Sequence, residues 1–195
     1  MHPVLSNNLF LVKEHVGMFK ASNNFDIFDP TTQQKVMECR EPHLGIISKL
    51  LRFTDYKRMT PFHVVVTTPQ GQKVLSVKRG ISLFWSNVQV FDQNDAVVGM
   101  FKQKLLTIGG KFEVLDADGN HVCMLKGKWT SWSFSFMRGE SELASVAKKW
   151  AGLGKEMFTT ADNYMLSIQP TVKADAGVRT LILAAVLCID MVLKE

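Results

Sequence analysis

The chain has 195 residues, which is enough for one domain with a sizeable hydrophobic core. Hydrophobic residues make up 46% and charged residues 21% of it, so a disordered chain is excluded. The formal net charge of +5 favours anionic partners, either lipid headgroups or nucleic acid, although a charge of this size also serves solubility alone. No linker or low-complexity tract interrupts the sequence, and we expect a single domain over residues 1–195.

Cysteine usage and the first residues indicate the compartment. Cys39, Cys123 and Cys188 are far apart and odd in number, so reduced, buried thiols fit better than a disulfide framework. The opening stretch MHPVLSNNLFLVKE carries no basic leader and only a four-residue apolar run, which is not a secretory signal. We therefore expect a cytoplasmic protein that can associate peripherally with a membrane.

Most of the chain is predicted to form β-strands. Four stretches share one layout, an apolar run, a polar turn and a second apolar run, which is typical of β-hairpins: Phe25–Cys39, Phe62–Val77, Val88–Phe101 and Phe112–Leu125. Further strand candidates are Phe10–Val12, Ser82–Trp85, Trp132–Phe136, Leu143–Ala147 and Tyr164–Ile168, with Met18–Ala21 as a weaker one. About a dozen strands predict closure into a barrel or packing as a two-sheet sandwich, because either arrangement limits exposed edges.

Two stretches depart from the strand pattern. Leu44–Phe53 places its apolar residues on one helical face, which predicts a short amphipathic helix covering a barrel end, with a membrane-surface role as the alternative. Lys148–Met157 contains two glycines and predicts an irregular turn.

The C-terminal stretch Val178–Leu193 is predicted to be a helix enclosed on every side. Leu181 to Ile189 is uninterrupted apolar sequence between Arg179 and Asp190, so no face is left for water. The uncharged run would reach only ~15 Å, about half of a hydrocarbon core. A barrel of about a dozen strands needs a filled interior. The sequence thus predicts a mainly β fold, a closed antiparallel β-barrel around a central hydrophobic α-helix, whose core residues are Leu181, Ile182, Ala185, Val186 and Ile189. A membrane anchor is the alternative.

Catalytic motifs are absent from the sequence. There is no GxSxG, HExxH or GxxxxGK[ST] motif, and the five histidines lack metal-ligand spacing, so we do not expect an enzyme. The stretch Asp116–Asn120 resembles the start of a calcium loop, but His121 occupies the position that needs glycine. A hairpin turn is therefore predicted there.

Lysine and tryptophan are interleaved in two short stretches, Lys126–Trp129 and Lys148–Trp150. Strand alternation places Lys126 and Lys128 on one face, and likewise Lys102 and Lys104. An outward patch of this kind can meet phosphate groups, with tryptophan at the headgroup boundary, whereas a solvated outer face is the alternative. The candidate lipid-binding residues are Lys102, Lys104, Lys126, Lys128, Trp129, Lys148 and Lys149.

The C-terminal third resembles the phospholipid scramblase / Tubby C-terminal-like superfamily, which includes the LURP-one-related proteins. The residues that carry the resemblance are Ala161-Asp162-Asn163-Tyr164, Pro170, Asp175, the apolar helix and Ile189-Asp190. The resemblance implies a closed antiparallel barrel wrapped around a C-terminal helix.

The resemblance also implies a calcium site, with Asp162 and Asp175 at acidic positions of the family's motif. Thr160 and Lys173 stand where the family has aspartate, and the loss of two carboxylates weakens a site for a hard cation. We therefore expect no cofactor, with calcium as the one candidate ion.

Three functions remain in competition. The leading hypothesis is a non-enzymatic membrane-surface module that binds anionic phospholipid, including phosphoinositide, through basic residues of the outer barrel. The first alternative is a phospholipid scramblase anchored by its C-terminal helix. The second is a protein- or DNA-interaction module of the Tubby-like type, although nucleic acid is not an expected partner because no recognition helix or RNA-binding aromatic motif is visible.

Overall fold

The computed structural model describes residues 2–14, 24–42, 61–80, 85–104, 112–128, 133–148, 163–172 and 175–193. Over these ranges twelve strands form one closed barrel, in which every strand pairs antiparallel with its neighbours in chain order and β1 closes the barrel on β12. The strands are β1 (Leu9–Glu14), β2 (Phe25–Phe28), β3 (Lys35–Arg40), β4 (Phe62–Thr67), β5 (Lys73–Arg79), β6 (Trp85–Asp92), β7 (Val97–Lys104), β8 (Phe112–Asp116), β9 (His121–Lys128), β10 (Ser133–Arg138), β11 (Ser141–Ala147) and β12 (Asn163–Ile168).

One long helix, α1 (Ala176–Leu193), completes the fold, and short 3-10 turns occupy Pro3–Ser6 and Pro170–Val172. The predicted closed barrel with a C-terminal helix is thereby confirmed. The predicted helix at Leu44–Phe53, the weak strand Met18–Ala21, and the turn after Lys148 lie outside the described residues, as do residues 82–84 of the predicted strand Ser82–Trp85. The assignment of residues 1–195 to one domain stays a prediction.

Strand alternation builds the core. In β4, Phe62, Val64 and Val66 are buried, whereas the residues between them are partly exposed. The same period of two recurs in β2 and β10, since successive side chains of a strand point to opposite faces of the sheet. The inward residues of the twelve strands form one cluster with the helix.

The helix α1 fills the barrel. Every residue from Val178 to Ile189 is buried, which includes the five residues predicted to form its core. No helix among the described residues is both long and apolar enough to cross a bilayer. The helix is enclosed by the chain's own strands, as the shortness of its uncharged run predicts.

The two ends of the barrel are built differently. At one end the described strands are joined by short turns, at residues 29–34, 68–72, 93–96, 117–120 and 139–140. We call this the turn end; α1 begins there, with Arg179 contacting the segment before β1. We call the opposite end, where β1, β3, β5, β7, β9 and β11 finish, the far end.

Aspartates stabilise the turns. Oδ1 of Asp92 accepts hydrogen bonds from the main-chain N–H groups of Asn94 and Ala96, at 2.8 and 2.9 Å. Oδ1 of Asp116 accepts equivalent bonds from Asp118 and Asn120, at 3.0 and 2.8 Å. These bonds explain why a Phe-Asp and a Leu-Asp pair recur before successive turns, since aspartate can bond to the main chain two residues on. The turn at Asp116–Asn120 is the predicted hairpin turn.

Candidate functional site

The outer face of the barrel presents two of the predicted lysines near the far end. Lys102 on β7 and Lys126 on β9 are both exposed, and β8 lies between their strands. Neighbouring strands are about 4.8 Å apart, so the two strands are separated by roughly 10 Å. The Cα partner of Lys102 on β8 is Glu113, which places one carboxylate on the same face. The structure thus brings Lys102 and Lys126 onto one surface.

Two more predicted lysines end the same strands. Lys104 is the last residue of β7 and lies opposite Trp85, and Lys128 is the last residue of β9 and lies opposite Ser133. The side chains of Lys104 and Lys128 lie outside the described part of the structure, so their place on this face stays a prediction. Trp129 and Lys149 lie outside the described residues.

Lys148 is placed differently from the other predicted lysines. It is half-buried, and its Nζ lies 5.6 Å from the ring centroid of Tyr164, a cation–π contact. Tyr164 is buried and belongs to the core cluster inside the barrel. The ammonium group of Lys148 therefore lies over a core residue at the far end and does not extend the surface formed by Lys102 and Lys126.

A third exposed lysine joins that surface. Lys78 on β5 is exposed, and its Nζ lies 4.9 Å from the ring centroid of Phe91. The adjacent Arg79 is buried and stacks on Phe62 at 4.7 Å, so the two neighbouring cations point to opposite faces. Strand alternation was the sequence signal that could have separated them. We call Lys78, Lys102 and Lys126 the lysine surface.

The candidate metal residues do not form a described cluster. Oδ1 of Asp175 accepts a hydrogen bond of 3.0 Å from the N–H of Val178, which makes Asp175 the N-cap of α1. Asp162 lies outside the described residues. Within the described ranges, no group of three or more His, Cys, Asp or Glu side chains could hold a metal ion. Calcium binding stays a prediction.

Sequence reasoning gave Arg179 no role, yet its side chain fixes the helix within the barrel. Its guanidinium is buried and donates to the main-chain oxygen of Leu5 at 2.6 Å, to that of Asn7, and to Oδ1 of Asn8 at 3.1 Å. Burial lowers the pKa of Arg179 below its ordinary value. The sequence signal for this role was an arginine next to an apolar helical segment. Its hydrogen-bond acceptors are far away in the chain and could not be identified from the sequence.

The three cysteines are free and buried. Burial raises the pKa of the Cys123 thiol to about 12 and raises the pKa values of Cys39 and Cys188 as well. Nucleophilic cysteines need the opposite environment, one that stabilises the thiolate. These thiols serve as small apolar side chains of the core.

The closed twelve-stranded barrel around a C-terminal helix defines a Tubby-like class of fold. A solved X-ray structure of a protein from Arabidopsis thaliana shares it, with a TM-score of 0.52, 18% sequence identity, and coverage of 93% of this chain and 90% of that one. At this identity the likeness shows the fold alone.

Residues 9–195 match the Scramblase family, and the chain belongs to that family. A phospholipid scramblase family protein of Schizosaccharomyces pombe is 25% identical over 195 residues, a match that covers 90% of this chain and 50% of the relative. The chain thus spans about half the length of that curated relative. Membership of the family indicates a phospholipid-related function.

Proposed function

We propose that the protein is a non-enzymatic, cytoplasmic module that binds the surface of membranes containing anionic phospholipid. The observation that supports this most is the lysine surface. Its three exposed lysines lie on β5, β7 and β9, alternate strands of one sector of the barrel, and each is within two residues of the end of its strand. Family membership supports a phospholipid as the anionic partner.

The strength of binding follows from the number of lysines. A Lys close to an anionic membrane surface contributes about 1 kcal/mol, so the three exposed lysines give about 3 kcal/mol. This is weaker than the ~4.1 kcal/mol of a millimolar complex, and Lys104 and Lys128 would bring the total to about 5 kcal/mol. Binding of this kind is reversible, and it weakens with salt because mobile ions screen exposed charges.

A lipid-scrambling protein anchored by its C-terminal helix is the second candidate, because the family's name describes that activity. The position of α1 disfavours the anchor. Residues 178–189 are buried inside the barrel, and moving them into a bilayer would expose the inward residues of the strands. Exposing that much apolar surface would cost more free energy than the whole free energy of unfolding of a domain of this size.

Vesicle flotation tests the proposal. Wild-type protein is mixed with vesicles of phosphatidylcholine alone, or with vesicles that also contain phosphatidylserine or a phosphoinositide, at low and at high salt. We expect flotation with the anionic vesicles only, and its loss at high salt. Equal binding to neutral vesicles, or no binding at low salt, would end the proposal. Resistance of the bound protein to a carbonate wash would favour the anchored scramblase.

A further inference from the structure

The charged residues of the barrel are divided along its axis. In the described turns at the turn end, every charged side chain is acidic: Asp29, Asp95, Asp118 and Glu140. Asp92 and Asp116 end the strands that lead into two of these turns, and the exposed Asp175 caps α1 at the same end. None of the five turns contains a lysine or an arginine.

Three described cations begin or end strands at the turn end, Lys35, Lys73 and Arg138, and they are outnumbered by the seven acidic residues named above. Lys73, the first residue of β5, pairs with Asp95 at 2.5 Å and offsets that one carboxylate. The Asp116 carboxylate accepts hydrogen bonds from Asn120 and from main-chain N–H groups, which lower its pKa and keep it ionised. The described residues of this rim therefore carry an excess of negative charge.

Among the described residues, basic strand ends outnumber acidic ones at the far end. Four strands finish there with a basic residue, Arg40, Arg79, Lys104 and Lys128, of which Arg79 is buried; on the acidic side, Glu14 ends β1 and Glu41 follows β3. The exposed lysine surface lies one or two residues before three of these strand ends.

The acidic residues near the far end are concentrated on the opposite sector of the barrel. Asp26 and Glu38, on β2 and β3, form ion pairs with Arg40 at 2.6 and 3.1 Å. Glu38 also pairs with Lys35 at 3.0 Å. The basic excess thus belongs to the sector from β5 to β9, where Glu113 is the one acidic side chain on the described outer face beside Lys102.

This separation of charge is large compared with the range of electrostatic forces in salt. β9 has eight residues, which span about 26 Å along the strand and roughly 20 Å along the axis of a barrel whose strands tilt by about 40°. The Debye length at physiological ionic strength is about 8 Å. If the far end lies against an anionic surface, the acidic turn end is several Debye lengths' worth of screening away from that surface and is hardly repelled by it. If the barrel lies on its side, the surface attracts the far end but also repels the turn end.

We propose that the barrel binds an anionic bilayer end-on, with the far end and its β5–β9 sector against the headgroups and the turn end directed away from the membrane. This inference rests on the proposed function and adds an orientation to it. The N-terminal 3-10 turn and the start of α1 then face the cytoplasm, and the end of α1 faces the lipid.

Site-specific fluorescence quenching tests the orientation. The three native cysteines are buried, so a bimane label can be directed to one introduced cysteine, either Asn87→Cys or Ala117→Cys. Asn87 is exposed on β6 beside Lys102, and Ala117 is exposed in the turn between β8 and β9. Each labelled protein is mixed with phosphatidylserine vesicles whose acyl chains carry bromine, and the bound fraction is measured in the same sample by sedimentation.

With both proteins bound, we expect strong quenching of the label at position 87 and little quenching at position 117. Equal quenching of the two labels, or stronger quenching at position 117, would overturn the end-on orientation while leaving membrane binding intact. Failure of both proteins to sediment with the vesicles would overturn the proposed function, and the orientation with it.

Discussion

Arg179 and Leu5 are 174 positions apart in the chain and are joined by a hydrogen bond of 2.6 Å from the arginine Nε to the main-chain oxygen of the leucine. The bond connects the first turn of α1 to the segment that precedes β1. Because the guanidinium also donates to Asn7 and Asn8, one side chain satisfies three acceptors at the turn end. The buried guanidinium therefore fixes the start of the central helix to the N-terminal segment of the barrel.

Replacing this arginine is expected to destabilise the fold. Arg179→Met leaves main-chain acceptors without a partner, and each such loss costs about 1–3 kcal/mol. We expect the free energy of unfolding, measured by urea denaturation, to fall by about 3–5 kcal/mol. Arg138→Met is the matched control, because Arg138 is exposed and donates one hydrogen bond, to Val122. If Arg179→Met lowers the free energy of unfolding no more than the control does, the buried hydrogen bonds of Arg179 contribute little to stability.

Gly127 lies where a side chain cannot be accommodated. A Cβ added there would meet Cδ1 of Phe134 at 2.3 Å and the main-chain oxygen of Ser133 at 2.4 Å. We expect Gly127→Ala to cost about 1–3 kcal/mol or more, since overpacking forces side chains and backbone to shift. Gly80→Ala is the control, because its added Cβ would meet no atom within 4 Å. Equal melting temperatures for the two variants would contradict the close packing of Phe134 against β9.

The buried thiols make stability depend on alkaline pH. The pKa of Cys123 is raised to about 12 by burial, whereas an exposed thiol ionises near pH ~8.5. Between these values the unfolded chain releases the Cys123 proton and the folded protein keeps it, so stability is lost as pH rises.

The slope is about 1.4 kcal/mol per pH unit for each thiol. Above about pH 9, we therefore expect the free energy of unfolding of the wild type to fall relative to Cys123→Ala by that amount per pH unit, in urea denaturation at successive pH values. A difference that stays constant from pH 8 to about pH 11 would show that the thiol titrates normally in the fold.

Asp175 is expected to act as a helix cap. Asp175→Ala removes the acceptor for the Val178 N–H and should lower the free energy of unfolding by about 1 kcal/mol, whereas Asp175→Asn keeps a capping side chain and should cost less. Thermal unfolding of the three proteins, with and without calcium, separates capping from metal binding. A calcium-dependent rise in the melting temperature that Asp175→Asn abolishes would contradict a purely structural role.

The architecture was readable from the sequence because it follows from local patterns. The alternation in Phe62–Thr67, the aspartates before the turns and the short uncharged run of the helix are all properties of neighbouring residues. What the sequence could not provide are contacts between distant segments. The hydrogen bond from Arg179 to Leu5 joins the two ends of the chain, and the placement of Lys148 over Tyr164 depends on the pairing of β11 with β12.

The predicted basic surface was recovered only in part for the same reason. Lys102 and Lys126 share an exposed face, as alternation within each strand predicts, but their relation to Lys78 depends on the pairing of β5 through β9. The sequence also did not show that the acidic residues of the turn end lie together, since its aspartates are scattered over more than a hundred residues of sequence. Both surfaces are products of strand order.

The most direct measurement compares two variants that lose the same net charge at opposite ends of the barrel. Lys102→Gln with Lys126→Gln removes two charges from the lysine surface, and Gln70→Glu with Asn94→Asp adds two negative charges to exposed positions of the turn end. Affinity for phosphatidylserine vesicles is measured for both at about 0.1 M salt, where the Debye length of about 10 Å is shorter than the barrel. At about 1 kcal/mol per lysine, the first variant should bind roughly 30-fold more weakly than the wild type, and the second should bind nearly as well as the wild type. Equal losses in the two variants, or no loss in the first, would contradict binding through the lysine surface.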